Sequence, residues 1–170
     1  ERVTYISVGR DPRDAAMSWD NHRANSNIDV LLSSRAAAVG LDDLTEWFPD
    51  GAPPPRPDDP AERFWNWIEY DPAPADGHMG GLPELVQQVG SFWDRRDEPN
   101  VVLFHYADMK ADLDGQLRRL SSRLGIEVPA DTWPQLVEAA TFERMSARAG
   151  ELAPQSTQNL WLDNARFFNR

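Results

Sequence analysis

Arg10 and Ser18, eight residues apart, are of the types that hold anions. A guanidinium makes a bidentate charged contact with a phosphate, and a serine hydroxyl adds a short directional one. The stretch VTYISVGRDPRDAAMS, residues 3–18, supplies the elements that must position them. Val3, Tyr5, Ile6 and Val8 read as a buried strand that stops at Gly9-Arg10. Asp11-Pro12 reads as a helix cap followed by proline at the first helical position, with Arg13–Arg23 as the helix. A strand turning tightly into a helix leaves free backbone N–H groups and the positive end of the helix dipole at the strand's C-terminal edge. That is where α/β proteins bind anions. Taken alone, the pattern also fits, more simply, a capped helix bearing a surface arginine.

Composition limits the possibilities. The chain has 170 residues, 41% hydrophobic and 10% aromatic, which suits one domain with a real core and argues against disorder. Its net charge of −11 disfavours nucleic acid as a partner, because affinity for a polyanion comes from clustered positive charge. A small anion needs only a few converging arginines and amides. No apolar run reaches the ~18 residues of a membrane span, and no signal peptide is visible. The absence of cysteine excludes a disulfide framework and fits a reducing cytoplasm. Lys110 is the only lysine among 17 basic residues, the composition of a GC-rich bacterial genome. The first residue is Glu1 and a strand follows almost at once, so the chain reads as a piece of something longer.

Further along, Ile28–Val39 reads as a helix ended by Gly40. Residues 41–62, rich in proline and acid, can be neither helix nor central strand and form either a surface loop or a lid. Phe64, Trp65, Trp67 and Ile68 are too many apolar residues for one narrow stripe, so the helix they occupy is expected to pack on two sides or to line an apolar cleft. His78 falls in the Gly-containing loop of residues 71–81 and reads as a surface residue. Leu82–Arg96 is an amphipathic helix. Val101–Tyr106, VVLFHY, is the near-continuous apolar run of a strand in a parallel sheet. The long crossover from the first strand implies parallel pairing and helices covering the sheet. Helices are then expected over Leu113–Leu124, Asp131–Ala140 and Phe142–Ala149, the last capped by Thr141, before an irregular tail.

Three blocks in this order resemble the PAPS-dependent sulfotransferases, closest to actinobacterial members acting on glycolipids or small hydroxyl acceptors. They are YISVGRDPRDAAMS, PNVVLFHYADMKADLDGQLRRLSSRLGI and ATFERM, and together they span most of the chain. The resemblance implies an α/β fold, a three-layer parallel sheet flanked by helices with a P-loop-like character, in a single domain over residues 1–170. It implies an enzyme moving a sulfuryl group from 3′-phosphoadenosine 5′-phosphosulfate to a hydroxyl of a hydrophobic small-molecule or lipid acceptor, leaving 3′,5′-adenosine bisphosphate. Arg10 and Ser18 would hold the 3′-phosphate, Tyr106 would meet the adenine, Phe142 would stack on it and Met145 would pad its edge. Each of the last three would otherwise read as ordinary packing. Thr141 falls in register with the serine of the family's Thr-Ser-Phe run, while Ala140 replaces its threonine. Phe167-Phe168-Asn169-Arg170 aligns with the first four positions of the family's Phe-x-Arg-Lys-Gly motif, with Asn169 in place of arginine and Arg170 in place of lysine.

By the same resemblance, the phosphosulfate loop and the Lys-x-His segment that supplies the catalytic base are expected upstream of Glu1. His22, His78 and His105 do not sit in that context, so no catalytic residue and no metal ligand is assigned within the chain. Nucleotide binding without turnover is expected of these residues alone. The rival readings are a non-catalytic nucleotide-binding module and a nucleotide kinase-like phosphotransferase, which would need a full Walker sequence and Mg²⁺ ligands.

Overall fold

Two strands anchor the arrangement around Arg10. A computed structural model describes residues 3–40, 55–70 and 81–168 of the chain. In it β1 (Tyr5–Gly9) pairs in parallel with β2 (Val101–His105), Tyr5 opposite Val101 and Gly9 opposite His105. The Tyr5 N–H donates to the Asn100 carbonyl at 2.8 Å. In a parallel ladder alternate residues face the partner, so the peptide groups of Ile6 and Val8 turn to the other edge. The chain divides into two compact units, one formed by Glu1–Asp11 with Gln87–Arg148, the other by Pro12–Val86 with Ala149–Arg170.

In the first unit the core gathers on β2, where Val101, Val102 and Phe104 are buried, as its apolar run predicts. Arg119 covers the strand's far edge. Its guanidinium donates to the Leu103 carbonyl at 3.0 Å and lies 4.7 Å from the centroid of Phe104. β1 is not the buried strand that its pattern suggests: Tyr5, Ile6 and Val8 are 51%, 41% and 53% exposed. The sheet is two-stranded among the described residues, and its burial falls on β2 and not on β1. β-branched composition signals a strand but not how many neighbours it has.

β2 ends one residue earlier than expected. His105 caps the short helix that follows, with Nδ1 accepting the Ala107 N–H at 3.3 Å, and Tyr106 becomes a helical residue. Three further helices complete the unit: Leu113–Leu124, Trp133–Ala139 and Phe142–Ala147. Asp112 caps the first of these, and Gly125 ends it in the left-handed region (φ 66°), its N–H bonded back to Ser121 and Ser122. Trp133 is buried and donates its indole N–H to Asp114 at 2.6 Å. The last two helices are shorter than expected. The final one stops at Ala147, and a separate turn, Ala149–Leu152, follows.

The second unit is organised on helix α1, Pro12–Asn25, which starts at the predicted proline and runs two residues past the predicted end. Asn27 caps helix α2 (Ile28–Val39), which ends at Gly40 as expected. The aromatic helix α3 (Pro60–Ile68) is capped by Asp59. It does not pack on two sides: Phe64, Trp67 and Ile68 are half-buried along one stripe, whereas Trp65 is 56% exposed. Residues 63, 64, 67 and 68 fit one face at helical spacing, and position 65 does not. The next helix, Leu82–Trp93, stops three residues short of the expected Arg96.

Asp20 on α1 binds two arginines, Arg56 at 2.7 Å and Arg63 at 2.9 Å, and Arg63 also donates to the carbonyls of Pro57 and Asp58. This ties the end of the proline-rich segment and the start of α3 to α1. The rest of the possible lid (41–54) and the loop carrying His78 (71–80) lie outside the described residues. The tail contains two short 3₁₀ turns, Ser156–Gln158 and Asn164–Arg166, and an antiparallel bridge between Ser26 and Trp161.

Candidate functional site

The pairing of Gly9 with His105 decides what stands at the end of the sheet. The next residue after each is Arg10 and Tyr106, so strand register alone brings these two side by side. The Arg10 guanidinium lies over the Tyr106 ring, 4.7 Å from its centroid. Lys110, one helical turn beyond Tyr106, places its ammonium 6.0 Å from the same centroid. A strongly acidic protein thus puts its only lysine and an arginine around one aromatic ring at the C-terminal end of a parallel sheet. This positive, flat-walled corner suits a planar base attached to phosphate.

Thr141, Phe142 and Met145 belong to the same unit. The Thr141 hydroxyl donates to the Glu138 carbonyl at 2.8 Å and accepts the Arg144 N–H at 3.3 Å, so it serves first as a helix cap. Phe142 and Met145, three residues apart and both half-buried, share one face of the capped helix. The Arg144 guanidinium at the cap is paired with Glu138. Ser18 is half-buried, about two turns along α1 in the second unit. Asn169 and Arg170 lie outside the described residues.

The Nδ1 of His105 accepts the Ala107 N–H and so serves the helix cap at this corner. His22 lies on α1, where burial lowers its pKa from 6.5. Hydrogen bonds from Arg118 and Trp133 hold the Asp114 carboxyl below the usual carboxylate range. No group of three metal-ligating side chains occurs among the described residues, and no helix there is long and apolar enough to cross a membrane.

Sequence reasoning missed the residues that secure the tail. Asn25 is buried and pairs both atoms of its amide with the peptide of Asp163, 138 residues later. The polar run from His22 to Asn27 has no apolar periodicity that would mark a packed attachment. The signal available there was an asparagine at a helix end, a residue that can imitate a peptide group.

A parallel sheet packed with helices places the chain among the α/β folds, in which anions are characteristically held at the C-terminal ends of the strands. Comparison with known proteins narrows this class. The sulfotransferase domain profile matches residues 1–170, and the chain belongs to that family. It is 41% identical over 182 residues to a glycolipid sulfotransferase of Mycobacterium bovis (strain BCG / Pasteur 1173P2), covering 100% of this chain and 54% of the relative. Against a glycolipid sulfotransferase of Mycobacterium tuberculosis (strain ATCC 25177 / H37Ra), the identity is 40% over 177 residues with the same coverage. The chain thus spans about half the length of these curated relatives. A mouse sulfotransferase solved with PAP superposes with a TM-score of 0.65 at 19% identity, covering 99% of this chain and 49% of that one. Retinol dehydratase, solved with androsterone and inactive cofactor PAP, gives 0.64 at 19% identity, covering 99% and 40%. At these identities the structural likeness is one of fold, and it agrees with the α/β arrangement expected from the sequence.

Proposed function

We propose that this chain forms the 3′-phosphate and adenine side of a sulfotransferase that moves a sulfuryl group from 3′-phosphoadenosine 5′-phosphosulfate to a hydroxyl of a hydrophobic acceptor. The observation that carries this reading is the Arg10 guanidinium stacked on Tyr106 at the shared end of β1 and β2. Membership of the sulfotransferase family supports it. By the family resemblance we assign both Arg10 and Ser18 to the 3′-phosphate, the first through charge and the second through a hydroxyl hydrogen bond. Tyr106 and Phe142 flank the adenine, Met145 pads its edge, and Thr141 offers its remaining lone pair. By the sequence resemblance we assign Asn169 and Arg170 to the same phosphate, with one positive charge fewer than the family's motif.

These residues bind and orient the donor. The acceptor oxygen attacks sulfur in line, and adenosine bisphosphate leaves. The proton acceptor and the phosphosulfate loop belong, in this reading, to sequence outside these 170 residues. A glycolipid-like acceptor is supported by the names of the mycobacterial relatives and by the exposed Trp65 beside the half-buried Phe64 and Trp67. We place the protein in the cytoplasm of an actinobacterium, as a single sulfotransferase domain of which these residues are part.

Titration calorimetry of the full-length protein with 3′,5′-adenosine bisphosphate tests the reading. Arg10→Ala should weaken binding by about 1.5–3 kcal/mol, the usual loss for a charged hydrogen bond. Unchanged affinity in that variant would remove the corner from the nucleotide site.

A further inference from the structure

Two cations stand at the ring of Tyr106, and they are held differently. Arg10 is half-buried at the end of β1 and stacks on the ring, 4.7 Å from its centroid. Lys110 is exposed, one turn along the short helix Tyr106–Ala111, with its ammonium 6.0 Å from the same centroid. It is the only lysine of a chain with 28 acidic residues, yet it forms no ion pair with any described residue.

The acidic residues nearest it in sequence are turned away or already engaged. Asp108 lies two positions earlier, about 200° round the helix from Lys110. The Asp112 carboxylate accepts the Gly115 N–H at 2.9 Å as a helix cap. Asp114 takes the Arg118 guanidinium at 2.7 Å and the Trp133 indole N–H at 2.6 Å. An ammonium left without a carboxylate on so acidic a chain, beside a second cation, makes a local positive field open to an anion from solution.

Such a field bears on arrival more than on holding. Each phosphate monoester carries about −1.5 to −2 charges at neutral pH, so adenosine bisphosphate is repelled overall by a chain of net charge −11. An exposed charge at the rim of a site changes the association rate and its salt dependence, whereas a desolvated, bonded charge changes dissociation. Arg10, planar and half-buried, is of the holding kind; Lys110, a hydrated point charge on a flexible stem, is of the other. We infer that Lys110 is a capture residue: it draws the anionic nucleotide to the Arg10–Tyr106 corner and sets the rate of binding, without supplying a bond to the bound state. The inference rests on the function proposed above.

Stopped-flow mixing of the full-length protein with 3′,5′-adenosine bisphosphate, at ionic strengths of about 20 mM and about 500 mM, separates the two roles. At low salt Lys110→Gln should associate about three- to fivefold more slowly than the parent, with its dissociation rate unchanged. The difference should vanish at high salt, and Lys110→Arg, which keeps the charge, should keep the parent's rate. Arg10→Ala should act in the opposite way, chiefly by faster dissociation. An unchanged association rate in Lys110→Gln would overturn the inference, as would a loss confined to dissociation or one that persists at high salt. If the parent does not bind the bisphosphate, or if Arg10→Ala binds it as well as the parent does, the proposed function falls together with the inference.

Discussion

Arg10 lies over the ring of Tyr106, 4.7 Å from its centroid, because each follows directly on one member of the paired residues Gly9 and His105. A one-residue slip of β1 against β2 would separate them and turn the strand's side chains to the wrong faces. The contact needs the ring, not the hydroxyl. Tyr106→Phe is therefore expected to keep the affinity for adenosine bisphosphate. Tyr106→Leu should lose about 0.5–1 kcal/mol, the size of a cation–π contact near a surface. Calorimetry of the two variants decides the matter, and equal affinities would show that the stack is incidental.

The clamp on the other side of α1 yields a graded prediction. Asp20 holds Arg56, whose side chain is 36% exposed, and Arg63, whose side chain is 14% exposed. Arg56→Ala should cost under about 1 kcal/mol of stability, and that cost should shrink with added salt. Arg63→Ala should cost more, about 1–3 kcal/mol, because its guanidinium also serves the carbonyls of Pro57 and Asp58. Denaturant unfolding of both variants at low and high salt gives the comparison. The reverse order would mean that the exposed arginine, not the half-buried one, secures α3.

How much of this was legible in advance depends on the distance over which each decision is made. The Pro12 helix start, the Gly40 stop and the Thr141 cap follow from neighbouring residues, and the sequence displays them. The parallel pairing followed from the length of the crossover. The exposure of β1 did not, because a β-branched run looks the same whether or not its faces are covered. Trp65 was placed on the wrong footing for a similar reason: four apolar residues in five suggest two buried faces, but only the neighbours can say which faces are covered. Arg10 was nameable as an anion-corner candidate from its type and its place at a strand end, whereas Tyr106 and the Thr141–Met145 helix entered only through a family resemblance carried by ordered blocks. The Asn25–Asp163 attachment joins residues 138 apart, and an asparagine at a helix end signals only one side of it.

Trp133 is the largest buried side chain on its helix, and its indole N–H is bound to Asp114. Trp133→Ala should destabilise the first unit by about 3–5 kcal/mol, the transfer and cavity cost of removing a buried aromatic. Trp133→Phe should cost less, since it keeps most of the apolar volume and removes only the donor. Thermal melts of the two variants test the order. A mild effect of the alanine variant would show that the indole is not part of the core.

His22 makes stability depend on pH with a defined sign. Burial lowers its pKa from 6.5, so the unfolded chain takes up a proton at this position before the folded one does. Above the ordinary value both states are neutral and its contribution to stability is complete. As pH falls below about 6.5 the unfolded state is favoured progressively, and the loss levels off once pH has passed below the depressed folded value. The ring packs against Trp161 and Phe167, so the loosening should be felt where the tail meets α1. His22→Phe keeps an aromatic surface there and removes the titration. Unfolding midpoints measured between about pH 7.5 and 5 should fall more steeply for the parent than for His22→Phe, the difference opening only below the ordinary histidine range. Parallel curves across that interval would show that His22 is not the group responsible.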